Sequence, residues 1–210
     1  MFIHGKLGNS PPQLILEGFP MARTRTFIGV AVSDTIRASS KLMQRSLALS
    51  GAEVKWVEPQ NLHVTLLFLG EIDDTDLVNA CRITAKAAAK EAPFTLRVGG
   101  VGAFPTPRRP KILWGGITDG AEALLRLHTA IAGPLMELGA DRQEERGYTP
   151  LLTLGRAKGE EDANMLAAEL PKHLSWNAGF TLVEEVLIYS TELRRDGMEY
   201  TVLGRSALEG

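Results

Sequence analysis

The sequence predicts an α+β fold in which two pseudo-symmetric lobes, with antiparallel sheets and flanking helices, form a central cleft. Helical and strand-like segments are mixed along the 210 residues. Several strands follow one another through Gly- and Pro-rich turns, and this succession favours antiparallel pairing. The segments NLHVTLLFLG and PLLTLGR share an x-Thr-Leu pattern, and each is preceded by a strand and a helix. The repetition predicts an imperfect duplication of two lobes that face one cleft.

The strand predictions rest on runs of β-branched, aromatic and aliphatic residues that are bounded by turn residues. The predicted strands cover residues 26–32, 62–69, 94–104, 111–117, 150–156, 180–190 and 199–203.

Four helices are predicted from apolar residues at helical spacing. The first follows Ser33, a residue suited to capping, and closes at Gly51. The second begins at Asp73, and the third ends at Gly139. The fourth covers roughly residues 161–170.

The composition is that of a globular protein that can bury a core, with 44% hydrophobic and 23% charged residues. The formal net charge of -2 gives no general attraction to nucleic acid, so any phosphate site must be local. A single cysteine, Cys81, excludes an internal disulfide and suits a reducing cytoplasm. No apolar run approaches the ~20 residues that a membrane span requires.

The first residues differ in character from the rest of the chain. Residues 1–20 contain the breaker cluster GNSPP, and ordered strand character begins only after Met21. We expect a weakly structured N-terminal extension over residues 1–20 and a single two-lobed domain over residues 21–210.

The first x-Thr-Leu segment carries polar chemistry on one face. Alternation of side chains places His63 and Thr65 on that face, together with Leu67 and Leu69. The other face is wholly apolar, is expected to pack on the core, and carries Leu62, Val64, Leu66 and Phe68. An imidazole beside a hydroxyl suits a phosphate, because the hydroxyl donates to a phosphoryl oxygen while the imidazole handles a proton.

The second segment has the same geometry with a different occupant. Leu151 and Thr153 share one face of this strand. If the lobes are related, Thr153 is the partner of Thr65, and Leu151 stands where a second histidine would be. Strict alternation points Arg156 away from Thr153 unless the strand ends there.

Four segments, in this order, resemble the RNA 2′,3′-cyclic phosphodiesterases, also called 2′-5′ RNA ligases, of the two-histidine phosphoesterase superfamily. The segments are WVEPQNLHVTLLFLGE, GAFPTPRRPKILWGGI, GYTPLLTLGR and VEEVLIYSTELRRDGMEYTVL. The resemblance covers residues 25–203.

This resemblance implies two His-x-Thr motifs that face each other across a cleft. Members open a terminal 2′,3′-cyclic phosphate on RNA to a 2′-phosphate without a metal or other cofactor, and some also join RNA ends. By the resemblance, His63 is the proton donor to the departing 3′ oxygen, and the second-motif histidine is the base that activates water. Thr65 and Thr153 hold phosphoryl oxygens, and Arg156 matches the arginine that ends the family's second motif.

The sequence departs from the family pattern at Leu151, where Pro-His-x-Thr-Leu is replaced by PLLTL. Leucine can neither accept nor donate a proton, and loss of one acid-base partner typically costs about 10²–10⁴ in rate. We therefore expect impaired hydrolysis. Because leucine and histidine codons can differ by one base, a natural lesion, a deliberate change and a sequence error all stay open.

Other side chains are weaker candidates for the missing base. His128 lies close to the apolar stripe of the third helix, so we expect it to be structural. His173 lies in a polar loop and His4 in the extension, where solvation is expected. Tyr148 has an ordinary pKa near ~10 and is a poor base at neutral pH.

Two groups of cations are either solvated charges or contacts to an RNA backbone. They are Arg108, Arg109 and Lys111 in a turn, and Arg142 and Arg146 before the second motif.

Three functions remain open from the sequence. The first is an impaired, metal-independent hydrolase acting on RNA with 2′,3′-cyclic phosphate ends. The second is a non-catalytic protein of the same fold that binds RNA ends or phosphate. The third is a phosphodiesterase for a small cyclic nucleotide. We expect a cytoplasmic monomer that does not partner with membranes.

Overall fold

The computed structural model describes residues 23–137, 147–195 and 197–210. Within these ranges it confirms the α+β class: one antiparallel sheet of nine strands is flanked by four α-helices. The strands are β1 (Thr24–Ala31), β2 (Val54–Trp56), β3 (His63–Ile72), β4 (Phe94–Thr106), β5 (Arg109–Asp119), β6 (Leu151–Ala157), β7 (Asn177–Val183), β8 (Glu185–Arg194) and β9 (Gly197–Ala207). The helices are α1 (Asp34–Ala48), α2 (Asp74–Ala88), α3 (Ala121–Glu137) and α4 (Glu160–Glu169).

The strand order divides the sheet into two matching halves. The order is β7-β4-β5-β6-β3-β1-β8-β9, with β2 paired to β6 off this path. One lobe therefore contains β3, β1, β8 and β9, and the other contains β6, β5, β4 and β7. In each lobe, the strand before a helix (β1 or β5) pairs with the motif strand that follows the helix (β3 or β6). This arrangement is the pseudo-symmetry that the repeated motif predicts.

The two lobes join at the motif strands. β3 and β6 are antiparallel, and the one residue pair that bridges them is Val64 with Leu152. Both side chains are fully buried in the core. Because this junction is so short, the strands diverge on either side of it and leave space above the sheet for a cleft.

The first two helices begin where the sequence predicts them to begin. The Ser33 hydroxyl accepts a hydrogen bond from the Ile36 amide at the start of α1. The Asp73 carboxylate accepts one from the Asp76 amide at the start of α2. Each bond satisfies an amide that has no partner within its own helix. Gly139, the predicted end of the third helix, lies outside the described residues.

The predicted strand over residues 180–190 is wrong, because the structure has two strands there. β7 ends at Val183 and β8 begins at Glu185. β7 pairs with β4 at the edge of one lobe, whereas β8 pairs with β1 in the other. The chain crosses between the lobes at Glu184. The only local mark of that crossing is the pair Glu184-Glu185 between apolar residues, with no Gly or Pro to indicate a turn.

One strand was not predicted at all. β2 has only three residues, which is too short for an alternating pattern, and it pairs with β6 beside the second motif. The proposed extension over residues 1–20 lies outside the described residues. No helix in the described part of the chain combines the length and the apolarity needed to cross a membrane.

Candidate active site

Two adjoining cavities open where the lobes meet. The larger, of about 490 Å³, is lined by His63, Thr65, Thr153 and Arg156, among others. The second, of about 370 Å³, contains Leu151. Thr65, Thr153 and Arg156 line both cavities, so the two form one cleft. The structure thus brings all five predicted site positions together.

The register across the junction sets a diagonal arrangement. Because Val64 pairs with Leu152 in antiparallel fashion, His63 stands opposite Thr153 and Thr65 opposite Leu151. Each threonine therefore lies beside the acid-base position of the other motif. A ligand oxygen between the two hydroxyls would have His63 on one side and Leu151 on the other.

His63 is held in one tautomer by its neighbours. Its Nδ1 lies 2.7 Å from the backbone carbonyl oxygen of Asn61. A carbonyl oxygen can only accept, so Nδ1 carries a proton. Its Nε2 lies 2.9 Å from the Thr65 hydroxyl, which donates to the neutral ring. Phe27 stacks on the imidazole at a centroid distance of 4.4 Å, and Tyr200 meets it edge-on at 5.4 Å.

This packing affects the protonation of His63. Burial lowers the pKa of His63 below its ordinary value, and the hydrogen bond with Asn61 offsets part of that shift. In the unliganded protein the ring is therefore neutral at neutral pH, with its lone pair on Nε2. A bound anion next to Nε2 would favour the charged ring, so the ligand itself can prepare His63 to donate a proton.

Strict alternation along β3 is wrong beyond Thr65. Gly29 of β1 pairs with Thr65, but Ile28 pairs with Leu67, so Leu66 is an extra residue in a β-bulge. Leu67 and Leu69 are consequently buried, whereas Phe68 is 63% exposed and lines the cleft. Strict alternation predicts the reverse, with Leu67 and Leu69 on the face of His63 and Phe68 on the core face.

The same irregularity occurs in β6 at the equivalent position. Trp114 of β5 pairs with Thr153 and Leu113 pairs with Gly155, which leaves Leu154 as the extra residue. The bulge resets the alternation, so Arg156 lies on the cleft side with Thr153. The expectation that alternation turns Arg156 away is therefore wrong. Counted from each threonine, Phe68 and Arg156 occupy matching positions in the two lobes.

The cleft is positively charged although the chain is not. Arg25, Lys55 and Arg156 line the larger cavity, and none of its described lining residues is acidic. None of the three cations forms a salt bridge with another residue that the structure describes. Lys55 of β2 pairs with Arg156 of β6, which brings two positive charges to neighbouring strands. Such a cavity favours an anionic ligand.

Sequence reasoning missed Arg25 and Lys55 and considered other cations instead. Arg108, Arg109 and Lys111 lie at and beside the β4–β5 turn and line neither cavity. Arg142 and Arg146 lie outside the described residues. Arg25 and Lys55 belong to no motif, and only the pairing of β1 and β2 with distant strands brings them to the cleft.

The half of the cleft around Leu151 is largely apolar. The side chains of Phe68, Phe104 and Ile112 line it together with Leu151. Tyr148 also lines it, and its hydroxyl donates to the Thr65 carbonyl at 3.1 Å. No described histidine other than His63 lines either cavity.

The remaining described histidines make structural contacts. His128 stacks on Tyr148 at 4.1 Å, and its Nδ1 donates to the Leu66 carbonyl at 2.8 Å. This arrangement agrees with the structural role expected for His128. His173 lines neither cavity, and its Nε2 lies 3.3 Å from a carboxylate oxygen of Glu169. Its side chain is 16% exposed, so the expectation that it is solvated is wrong. His4 lies outside the described residues. Among those residues, no group of three or more His, Cys, Asp or Glu side chains is placed to bind a metal ion.

Comparison with known proteins shows the family of the chain. Residues 30–114 match the family described as LigT-like phosphoesterases. The chain is 30% identical to an RNA 2′,3′-cyclic phosphodiesterase of Aquifex aeolicus, over 90% of this chain and 100% of that protein. It is 33% identical to the protein of that name from Thermus thermophilus, over 89% of this chain and 91% of the relative.

Solved structures share the fold. A Thermus thermophilus crystal structure superposes with a TM-score of 0.74 at 29% identity, covering 89% of this chain and 98% of that one. Escherichia coli LigT in complex with 3′-AMP gives a TM-score of 0.71 at 22% identity, over 90% and 99% of the two chains. From the matched relatives, the chain belongs to the RNA 2′,3′-cyclic phosphodiesterase family of LigT-like phosphoesterases.

Proposed function

We propose that this protein hydrolyses RNA 2′,3′-cyclic phosphate ends to 2′-phosphomonoesters, and that Leu151 slows the reaction. The observation that carries the proposal is the grouping of His63, Thr65, Thr153 and Arg156 in one positively charged cleft. The name shared by the matched relatives supports the same chemistry.

In the proposed complex, the cyclic phosphate lies between the two threonine hydroxyls. Thr65 and Thr153 donate to its non-bridging oxygens, and Arg156 supplies positive charge as negative charge builds up in the transition state. Because His63 stands opposite Thr153, its Nε2 can reach the 3′ oxygen of a ligand seated there. The anion favours protonation of Nε2, which is required for a general acid.

The reaction then exchanges one phosphorus–oxygen bond for another. Water attacks phosphorus from the Leu151 side, in line with the 3′ oxygen. The bond between phosphorus and the 3′ oxygen breaks, and the proton on His63 Nε2 passes to that oxygen. The attacking water loses its proton to solvent, because Leu151 cannot accept it. This missing acceptor is the reason for the slow rate.

The scheme needs no metal ion, because Arg156, Arg25 and Lys55 provide the positive charge at the phosphate. A chelator such as EDTA should therefore leave the rate unchanged. A rate that disappears with EDTA and returns with a divalent cation would contradict this part of the proposal.

The test uses a short RNA that ends in a 2′,3′-cyclic phosphate, with enzyme in excess. We expect slow formation of a 2′-phosphate end, its loss in His63→Gln, and no change in His173→Gln, a histidine outside the cleft. Product with a 3′-phosphate end, or formation that survives His63→Gln, would overturn the assignment of His63.

The second candidate is a protein that binds phosphate or RNA ends without turnover. The apolar side chains around Leu151 favour it, because they offer no group to activate water. Tight binding of the cyclic phosphate RNA without any product would support this candidate and overturn the hydrolase. The third candidate is a phosphodiesterase for a small cyclic nucleotide. Comparing the hydrolysis rates of the RNA and of 2′,3′-cyclic AMP tests it, because such an enzyme would not act faster on the longer chain.

We further propose that the enzyme is a cytoplasmic monomer, which the single thiol of Cys81 suits. Light scattering in solution tests the oligomeric state, and a stable dimer would contradict it.

A further inference from the structure

Two polar side chains, one buried and one half-buried, occupy comparable places on α1 and α3, and the proposed reaction uses neither. Gln44 lies on α1 between Met43 and Leu47 and is 6% exposed. His128 lies on α3 between the buried residues Leu127 and Ile131 and is half-buried. Each helix follows the strand that pairs with the motif strand of its own lobe.

Gln44 binds the bulge of β6. Its amide nitrogen Nε2 donates to the Leu154 carbonyl at 2.9 Å and to the Val57 carbonyl at 2.8 Å. Leu154 is the extra residue of that bulge. The Leu154 carbonyl also accepts from the Val57 amide at 2.9 Å. Gln44 thus fixes the bulge and the end of β2 to each other.

His128 binds the bulge of β3 in the same way. Its Nδ1 donates to the carbonyl of Leu66, the extra residue of that bulge, at 2.8 Å. The contacts cross between the lobes: α1, which follows β1, holds the bulge of β6, and α3, which follows β5, holds the bulge of β3. Two unlike side chains therefore serve the same backbone feature in the two halves.

The bulges decide which side chains enter the cleft. An extra residue shifts the alternation by one, and without it Arg156 would turn toward the core side of β6. Phe68 would turn away from the cleft for the same reason. We propose that Gln44 and His128 are positioning residues that hold the two bulges and thereby keep Arg156 and Phe68 in the cleft. For Arg156, this inference rests on the proposed role of that residue in binding phosphate.

The test compares Gln44→Met, which keeps the volume but removes the donor, with Ser40→Ala. Ser40 lies one turn earlier on the buried face of α1, and its hydroxyl has no hydrogen-bond partner among the described residues. The measured quantities are the dissociation constant for adenosine 2′-monophosphate and the urea midpoint. We expect Gln44→Met to weaken binding about tenfold, because Arg156 would leave the cleft. This factor is typical of losing a hydrogen bond between a charged group and its ligand. Ser40→Ala should leave binding unchanged.

A double-mutant cycle separates positioning from general destabilisation. If Gln44 acts through Arg156, then Gln44→Met has no further effect on affinity in an Arg156→Met background. If each substitution weakens binding by its own factor and the two factors multiply in the double variant, the proposal is overturned. It is also overturned if Gln44→Met keeps the parent affinity while Arg156→Met binds weakly.

The crystal structure of Gln44→Met tests the inference apart from the proposed function. We expect the register of β6 against β5 to lose its irregularity or Arg156 to leave the cleft. A preserved bulge with Arg156 still in the cleft would overturn the positioning role, whatever the ligand. If the parent protein fails to bind adenosine 2′-monophosphate, the phosphate role of Arg156 fails, and the crystal structure still decides the positioning role.

Discussion

Replacing Asn61 by alanine tests how the fold holds the proposed proton donor. Asn61 is 9% exposed, and its Nδ2 donates to the Met198 carbonyl of β9 at 2.7 Å. The backbone carbonyl of Asn61, which the substitution keeps, accepts from His63 Nδ1 at 2.7 Å. The Asn61 side chain thus joins the segment before β3 to the β8–β9 hairpin, and its backbone sets the tautomer of His63.

The expected loss of stability follows from that one side-chain bond. A typical hydrogen bond contributes about 0.5–1.5 kcal/mol net to the free energy of unfolding. Removing the donor costs more, about 1–3 kcal/mol, when it leaves a buried acceptor without a partner. Met198 is half-buried, so water can reach its carbonyl in part. We therefore expect Asn61→Ala to lower the free energy of unfolding by about 1–2 kcal/mol.

The assay is urea unfolding, with Asn79→Ala as the matched control. Asn79 lies on α2 and accepts one exposed hydrogen bond from Arg82, so its replacement should change the free energy of unfolding by less than about 0.5 kcal/mol. Nitrogen-15 NMR of the imidazole of His63 reports the second effect. We expect the strong preference for a proton on Nδ1 to weaken in Asn61→Ala.

Two results would refute this reasoning. Equal urea midpoints for Asn61→Ala and Asn79→Ala would mean that the bond to Met198 contributes no stability. An unchanged tautomer of His63 in Asn61→Ala would mean that the bond to Met198 does not hold the Asn61 carbonyl in place.

Three further outcomes are expected. Burial places the pKa of His63 below its ordinary value of 6.5, so between the two values the unfolded chain binds more protons than the folded one. Stability is therefore lost as the pH falls below about 6.5. Urea titrations at several pH values should show a weaker pH dependence in His63→Gln. Thr153→Val should lower the affinity for adenosine 2′-monophosphate about tenfold. The control Thr181→Val on β7 should leave that affinity unchanged. If the two variants bind equally well, Thr153 does not belong to the site. Gly102→Ala puts a methyl group into the indole of Trp114 and should cost about 1–3 kcal/mol in thermal unfolding, and an unchanged Tm would contradict that contact.

Local signals in the sequence were sufficient for the helix starts and the motif residues. Ser33 and Asp73 cap their helices through bonds within three residues along the chain, so their chemistry is readable locally. His63 and Thr65 lie two residues apart, before any irregularity in the strand, and alternation predicts their common face correctly.

The bulges could not be read from the sequence. Leu66 stands beside Leu67 in an apolar run, where a slip of one residue replaces one leucine with another. Leu154 lies between Thr153 and Gly155, and nothing in that local pattern requires an extra residue in the strand. The partners that hold the bulges lie far away along the chain, on the helices of the opposite lobes. Sequence reasoning therefore placed Phe68 and Arg156 on the wrong faces although it identified both strands.

The charge of the cleft was hidden for a related reason. Lys55 lies on a three-residue strand with no pattern of its own, and its neighbour across the sheet is Arg156, about a hundred positions later in the sequence. A net charge of -2 for the whole chain gives no indication that its cations converge at one cleft. Only the topology of the sheet brings them together.

The measurement that tests the central claim most directly is the hydrolysis rate of a short RNA ending in a 2′,3′-cyclic phosphate, for the parent protein and for Leu151→His. The new imidazole would stand opposite Thr65, on the side from which water attacks. We predict a gain of about 10²–10⁴ in rate, the usual contribution of one acid-base group. Equal and appreciable rates in the two proteins would contradict the account, because the base would then lie elsewhere. No product from either protein would overturn the hydrolase and favour the binding protein.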